Sequence, residues 1–376
     1  MKRNNIYYGA QFIDKKDINA VQNSLRENLI TTGKSVLKFE NNIKKYTKAK
    51  YAISCNNGTS ALHMAFFAIN TKPNDVIIMP SVNFVSSYAM ASNMKAKIYL
   101  TDVCPNSGLM RIEDLISCIK KNKIKKIKAV VNMYIGGGTS QLNTFFKLRK
   151  KFNFKLIEDA CHALGSTFLK EKVKMKIGSC QYSDICTFSF HPLKSITTGE
   201  GGCLTTNNPL FAKKMYHFRS HGILKKSYTS YDIKYFGFNY RLSDINCALG
   251  ISQLQKLDKF IQKRKIIAKS YISKLQKLKP FITIPNYDSN SAWHLFRIKV
   301  KNNKSKLIKY LEKNKIFCQL HYKPLHLYSF YKKNDKFINA EEYYDKTLSL
   351  PIHYKLKDKD IKIVVKTIEN FFKDKI

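Results

Sequence analysis

The chain has 376 residues, 44% of them hydrophobic and 12% aromatic. That is enough apolar material for one large folded unit and a smaller one, and too much for a disordered or fibrous chain. Lys plus Arg outnumber Asp plus Glu by 67 to 26, a net charge of +41. The lysines are scattered through every segment and accompany no recognised nucleic-acid motif. They read as a solvated basic surface with no nucleic-acid partner, although a basic field would help to attract a phosphorylated substrate.

Nine Cys are present and no two stand in CxxC spacing, which argues against a disulfide framework or a zinc site. No metal is expected. The adjacent Cys161 and His162 would point to opposite faces of a strand. Residues Met1 to Asn5 lead into Ile6 without an apolar signal segment. No stretch approaches the roughly 18 apolar residues of a membrane span. The expectation is a cytoplasmic protein with no membrane partner.

In chain order, a helix is predicted over Thr59–Asn70, closed by a turn at Pro73–Asp75. Short apolar runs of strand length follow at Val76–Met79, Lys97–Leu100, Ile127–Met133 and Lys155–Ile157. Helical patterns over Arg111–Lys121 and Asn143–Phe152 separate them. Two further strands are predicted at Asp184–Phe190 and Gly202–Thr206. Leu254–Leu278 reads as one long helix with a lysine-rich solvated face. Strands at Trp293–Val300 and Phe317–His321 come after it. Buried strands alternating with helices imply an α/β fold, with a mostly parallel central sheet and helices on both faces. A smaller C-terminal α+β domain completes it. The expected division is residues 1–250 and 251–376, with roughly the first thirty residues packing on the smaller unit.

Four segments carry candidate chemistry. In Thr187 to Gly202 a strand runs into Pro192, then a lone Lys194, then Gly199-Glu200-Gly201-Gly202. A lysine in a tight loop at a strand end is positioned, and lysine serves Schiff-base chemistry once its pKa is lowered. In Leu156 to Gly165, Asp159 follows an apolar strand, where ligands bind in open α/β sheets. It suits the ring nitrogen of pyridoxal phosphate (PLP), and on spacing alone it reads equally as a turn cap. In Cys55 to Leu62, Gly58 permits a sharp turn, and Thr59 or Ser60 opens a helix whose free N–H groups suit a phosphate. Phe84, after the strand at Val76–Met79, could stack on an aromatic ligand or serve as core packing.

Taken in order, these segments resemble one family. Ser189-Phe-His-Pro-Leu-Lys-Ser-Ile-Thr-Thr-Gly-Glu-Gly-Gly202 is similar to the PLP-lysine motif of the DegT/DnrJ/EryC1/StrS sugar aminotransferases. The likeness continues through Phe218-Arg-Ser-His-Gly-Ile223, Gly237-Phe-Asn-Tyr-Arg-Leu242, Ala248 to Leu254, His321-Tyr-Lys-Pro-Leu325, Ala340 to Asp345 and Ser349-Leu-Pro351, so it covers nearly the whole chain. The subgroup it resembles most is the UDP-4-amino-4,6-dideoxy-N-acetyl-β-L-altrosamine transaminases of pseudaminic acid biosynthesis.

The resemblance implies PLP-dependent transferase fold type I, like aspartate aminotransferase. It implies that Lys194 carries the cofactor and moves a proton, and that Asp159 pairs with the ring nitrogen. His162 would lie near the ring oxygen, at a position where Gln is frequent in the family. Thr59, Ser60 and Ser189 would hold the phosphate and Phe84 would stack on the ring. Asn239 would reach the phosphate from the other subunit, making a homodimer with shared sites. Lys34, His221 and Tyr322 match positions near the nucleotide-sugar pocket. The implied substrates are L-glutamate and a nucleotide-linked 4-keto-6-deoxy sugar. A 3-keto sugar, a GDP or dTDP carrier, a sugar dehydratase and a non-catalytic regulator of the same fold are the alternatives. Dehydratases typically carry histidine where this chain has Lys194. The segment Met133-Tyr-Ile-Gly-Gly-Gly-Thr139 departs from the family's usual Gly-x-Pro.

Overall fold

The computed structural model describes residues 5–139 and 141–373. Strand β1 (Ile6–Tyr7) leads into α1 (Lys15–Leu25) and α2 (Lys34–Thr47). Strands and helices then alternate: β2 (Tyr51–Cys55), α3 (Gly58–Ala68), β3 (Val76–Pro80), α4 (Val85–Asn93), β4 (Lys97–Thr101), α5 (Ile112–Lys121), β5 (Ala129–Met133), α6 (Leu142–Phe152) and β6 (Lys155–Asp159). A hairpin of β7 (Thr167–Lys170) and β8 (Val173–Lys176) precedes β9 (Ile185–Ser189) and β10 (Gly202–Thr206).

Seven strands form one sheet in the order β2-β10-β9-β6-β5-β3-β4. β9, β6, β5, β3 and β4 are parallel, and β10 runs against both β9 and β2. The mostly parallel α/β sheet read from the sequence is therefore present. Every position of β5 is buried, as a strand covered on both faces requires. Neighbouring residues of β3 show the two coverings. Ile77 and Met79 pack with Ala61, Met64 and Ala65 of α3, whereas Ile78 packs with Leu115 of α5 and Phe145 of α6.

After α7 (Pro209–Phe218) comes a small hairpin, β11 (Ile223–Lys225) and β12 (Tyr231–Ile233), then α8 (Asp244–Leu254) and α9 (Leu257–Lys274). The rest of the chain is β13 (Ile282–Thr283), β14 (Phe296–Val300), α10 (Lys304–Lys313), β15 (Ile316–Phe317), α11 (Ile338–Lys346), β16 (Thr347–Leu350) and α12 (Asp358–Phe372). β13, β14 and β16 make an antiparallel sheet over a second core that contains Phe296, Leu307, Leu350 and Val364. β1 pairs in parallel with β15, and Ile6 lies in this second core. Helix α9 joins the two cores: Leu257, Phe260 and Ile261 pack in the first, and Ile267, Ala268 and Tyr271 in the second.

Two expectations are corrected. The pattern over Leu254–Leu278 is not one helix, because α8 ends at Leu254 and α9 starts at Leu257. The chain turns at Lys256, whose ammonium is drawn to Asp14 (2.9 Å) and to the buried Asp17 (2.6 Å) at the start of α1. Of the strand expected over Phe317–His321, only Phe317 lies in β15. Beyond it Gln319 makes a lone antiparallel bridge to Ser349 of β16, through amide bonds of 3.3 and 2.9 Å, and His321 Nδ1 lies 2.9 Å from the Ser349 hydroxyl.

Helix α2 has Gly33 at its N-cap and no side-chain cap of its own. Asp244, buried in the first turn of α8, supplies one from elsewhere in the chain, accepting from the amides of Gly33 (2.7 Å), Ser35 (2.8 Å) and Val36 (3.3 Å). No described helix is long and apolar enough to cross a membrane.

Candidate active site

β2, β3, β6 and β9 all point their carboxyl ends the same way, and a cavity of about 510 Å³ opens there. β6 delivers Asp159 and, two and three residues on, Cys161 and His162. Asp159 is buried and accepts from the Ser87 hydroxyl at 3.2 Å and the Cys161 amide at 3.3 Å. β9 delivers Ser189, and Lys194 sits in the loop that returns to β10.

Hydrogen bonds close that loop at its base. The Phe190 amide donates to Gly201 O (2.8 Å), and the Thr198 amide (3.0 Å) and Thr197 hydroxyl (3.0 Å) donate to Phe190 O. Gly199 takes φ +82°, a conformation that suits glycine. Asn246 of α8 donates to Thr198 O at 2.6 Å. The lysine is thus held on a rigid hoop. Burial pulls the Lys194 amine below its usual pKa, and the nearby Cys161 and Asp159 offset that only in part.

Two helix N-termini reach the same cavity. In α3, Asn57 accepts from the Ser60 amide at 2.8 Å, and Thr59 turns its hydroxyl to Ser86 of α4, 2.8 Å away. A Cβ at Gly58 would lie 3.0 Å from Ser189 Cβ and 3.3 Å from Cys161 Sγ, so the backbone approaches β9 as closely as it can. Thr59, Ser86 and Ser189 therefore bring three hydroxyls to one end of the cavity.

The opposite wall is made of imidazoles. The Gly136 amide donates to His162 Nδ1 at 3.2 Å, which places the proton of the neutral ring on Nε2, facing the Tyr322 hydroxyl at 3.0 Å. His294 packs against His162 with ring centroids 4.2 Å apart and the rings tilted by 39°. Burial first, then the charge of Lys194, holds His162 and His294 well below the ordinary histidine pKa, and pushes His321 down to about 3. Gly136 and Gly137 take φ +71° and +91°, and a Cβ on Gly137 would lie 3.0 Å from His162 O. The unusual triple glycine lets this loop press against His162.

Of the residues singled out from the sequence, Thr59, Phe84, Asp159, His162, Ser189, Lys194 and Tyr322 line this one cavity. Ser60 lies just behind it, with its amide in the α3 cap. Three others stand apart from it within this chain. Lys34 is exposed and ion-paired with Glu27 at 2.7 Å. His221 is exposed at the edge of the β11–β12 hairpin, and Asn239 bridges to Ser220 beside it. Tyr8, Ser86 and His294 line the cavity from outside the segments singled out in the sequence, and His321 does so without a role of its own, although it opens the His321–Leu325 segment. Ser86 had a signal, as a hydroxyl in the first turn of a helix; the others arrive from distant segments.

A family model described as the DegT/DnrJ/EryC1/StrS aminotransferase family matches residues 11–369. The chain belongs to that family. Among curated relatives, the UDP-4-amino-4,6-dideoxy-N-acetyl-β-L-altrosamine transaminase of Campylobacter jejuni is 38% identical over 371 residues, covering 96% of both chains. The solved structure of Helicobacter pylori PseC, described as an aminotransferase involved in the biosynthesis of pseudoaminic acid, has a TM-score of 0.91 at 29% identity. It covers 98% of this chain and 100% of that one. The PLP form of a putative sugar aminotransferase, Spr1654 of Streptococcus pneumoniae, has a TM-score of 0.90 at 25% identity, covering 99% and 100%.

Members of this family are PLP-dependent, and the residues present fit that cofactor. Three hydroxyls and the first-turn N–H groups of α3 form an anion cradle that a side chain at Gly58 would fill. A buried carboxylate and a half-buried amine share the same cavity, and exposed Phe84 stands at its mouth. Among the described residues no group of three or more His, Cys, Asp or Glu is placed to hold a metal ion.

Proposed function

We propose that the protein transfers an amino group from L-glutamate to the C4 keto carbon of a UDP-linked 4-keto-6-deoxy sugar, serving pseudaminic acid biosynthesis. The observation that carries this reading is the enclosure of Lys194 and Asp159 in one cavity, in a chain 38% identical to the C. jejuni transaminase. PLP supplies the electron sink for such a transfer. Asp159 would hold a proton on its ring nitrogen, and Thr59, Ser86 and Ser189 would hold its phosphate, with Ser60 behind them in the α3 cap. Phe84 would cover one ring face and exclude water. Lys194, whose amine burial makes easier to deprotonate, would accept and return the substrate-carbon proton.

The enzyme is read as a cytoplasmic homodimer. Asn239, flanked by the stacked rings of Phe238 and Tyr240, would reach the partner's phosphate site, with Lys34 and His221 nearer the partner's sugar. The exposed apolar residues beside it support this, since Phe236 is 93% exposed and Ile233 is 49% exposed.

The test is direct. The purified protein is loaded with PLP and its visible spectrum recorded before and after adding L-glutamate, then after adding the UDP-linked 4-keto sugar, with the product identified by mass spectrometry. The expected sequence is loss of the long-wavelength band with glutamate, its return with the sugar, and a product carrying one new amine. A band that never forms would sink the cofactor role of Lys194. A band that glutamate leaves unchanged would point to another donor or to dehydration.

A further inference from the structure

We infer that His294 contacts the sugar directly, presenting a neutral imidazole nitrogen to an uncharged oxygen of the hexose. This rests on the aminotransferase reading above and deepens it.

His294 is only 5% exposed and lines the cavity. Neither of its ring nitrogens has a hydrogen-bond partner among the described residues, and Nδ1 is sealed from solvent. His162 and His321 behave differently. His162 is committed on both nitrogens, to Gly136 and Tyr322, and His321 Nδ1 is committed to Ser349. A buried polar ring without partners is unfavourable unless something else satisfies it. The nitrogen left to His294 for that purpose is Nε2, on the cavity side.

The ring is held there by costly means. Trp293, immediately before it, takes φ +50°, a left-handed conformation that a bulky residue rarely adopts. The Trp293 amide donates to the Ser291 hydroxyl at 3.0 Å and its indole N–H to Asp288 O at 2.9 Å, which fixes the turn. Behind it, buried Arg264 donates to His294 O at 3.1 Å and to Ile352 O at 2.7 Å, with no carboxylate partner among the described residues. Burial lowers the Arg264 pKa to about 10. A strained backbone, a buried cation spent on a carbonyl and a ring packed at 4.2 Å all converge on one histidine.

The chemistry of the wall selects the ligand. His294, His321 and Tyr322 offer hydrogen bonds and no formal charge, with His162 packed behind them, since all three histidines stay neutral here. Such a wall is poor at holding the carboxylates of an amino-acid donor, which call for cations. It suits the hydroxyl, keto or acetamido oxygens of a sugar.

The experiment compares PLP-loaded wild type with His294→Phe and His294→Asn, run as separate half-reactions beside histidine-labelled NMR. Phenylalanine keeps a ring packed against His162 and removes both nitrogens. The Asn variant keeps one polar group in a smaller side chain. We expect the melting temperature to stay within a few degrees, and PLP affinity and the glutamate half-reaction within about twofold, for His294→Phe, while kcat/KM for the UDP-linked keto sugar falls at least ~30-fold; Asn recovers part of the loss. The ring signal of His294, assigned by its absence in the variants, should shift on adding the UDP-linked sugar and stay still with UDP or glutamate alone. A sugar half-reaction within about threefold of wild type, or a ring signal unmoved at saturating sugar, overturns the inference. So does a loss in PLP affinity or in the glutamate step, which would mark a structural or donor-binding role. A wild type inert to the UDP-linked keto sugar would defeat the substrate reading instead. The NMR arm, repeated with the nucleotide-linked sugar that does bind, would still decide the role of His294.

Discussion

Two bases drawn out of water in this fold have been given opposite neighbours. Arg219 sits under α2 with its guanidinium on the Glu40 carboxylate and on Ser54 O at 2.8 Å. Burial pulls its pKa down, but the charge and hydrogen bond of Glu40 outweigh that and leave it raised. Lys194 is half-buried in its cavity and lies near Asp159 without a hydrogen bond to it among the described residues, and there the desolvation wins. The first arrangement fixes a cation for structure. The second withholds a close carboxylate and so leaves an amine free to react. The distance of one carboxylate separates a staple from a reagent.

The comparison can be broken at either end. Lys194→Ala should lower transamination by at least about 10³-fold while the apo-protein melts within a few degrees of wild type, because no partner is orphaned by the loss. Rates near wild type in a single-turnover assay would remove Lys194 from the mechanism. Glu40→Ala should do the reverse. Stranding Arg219 without its carboxylate should cost about 3–5 kcal/mol in a denaturant titration, with the rate per folded molecule little changed. A cost under about 1 kcal/mol would mean that Arg219 finds water instead.

The histidine wall sharpens the same point through pH. His321 titrates near 6.5 in the unfolded chain and at about 3 when folded. Between those values the unfolded chain binds the extra proton, so stability falls as pH is lowered through that window and is fully present above it. His162 and His294 add in the same direction. The apo-protein should lose several kcal/mol between about pH 6.5 and pH 4 by urea titration, and His321→Asn should flatten the profile. A wild-type curve flat across that range would contradict a neutral wall. The smallest effect is expected of Ser86→Ala, which removes the partner of the Thr59 hydroxyl. Affinity for PLP should weaken by about 1 kcal/mol, roughly fivefold, by equilibrium titration of the apo-protein. A change smaller than the error of that titration would place Ser86 outside the phosphate cradle.

The legibility of the chain follows the same physics. The parallel strands β3, β5, β6 and β9 were readable because a strand buried on both faces must be an apolar run. β2 was not assigned, because its first residue is half-exposed Tyr51 and it abuts the Asn-Asn-Gly turn. The break between α8 and α9 was hidden, since Gln255 and Lys256 are good helix formers and the turn is enforced by Asp14 and Asp17, far away in sequence. Lys194 and Asp159 stood out because each sits at a strand end in a local motif. His294 and His321 carry no such local mark. A histidine beside Trp293, or beside Tyr322, reads like any core residue until the fold brings both against His162.

The cap that Asp244 places on α2 has a consequence for solvent exchange. First-turn amides of a helix have no partner within the helix and ordinarily trade their hydrogens with water almost as freely as a loop does. Here Gly33, Ser35 and Val36 are bound to a carboxylate two hundred residues on. Their protection should therefore be lost together with that of α8 and track the opening of the larger core, so that this helix start reports on the stability of a distant part of the chain.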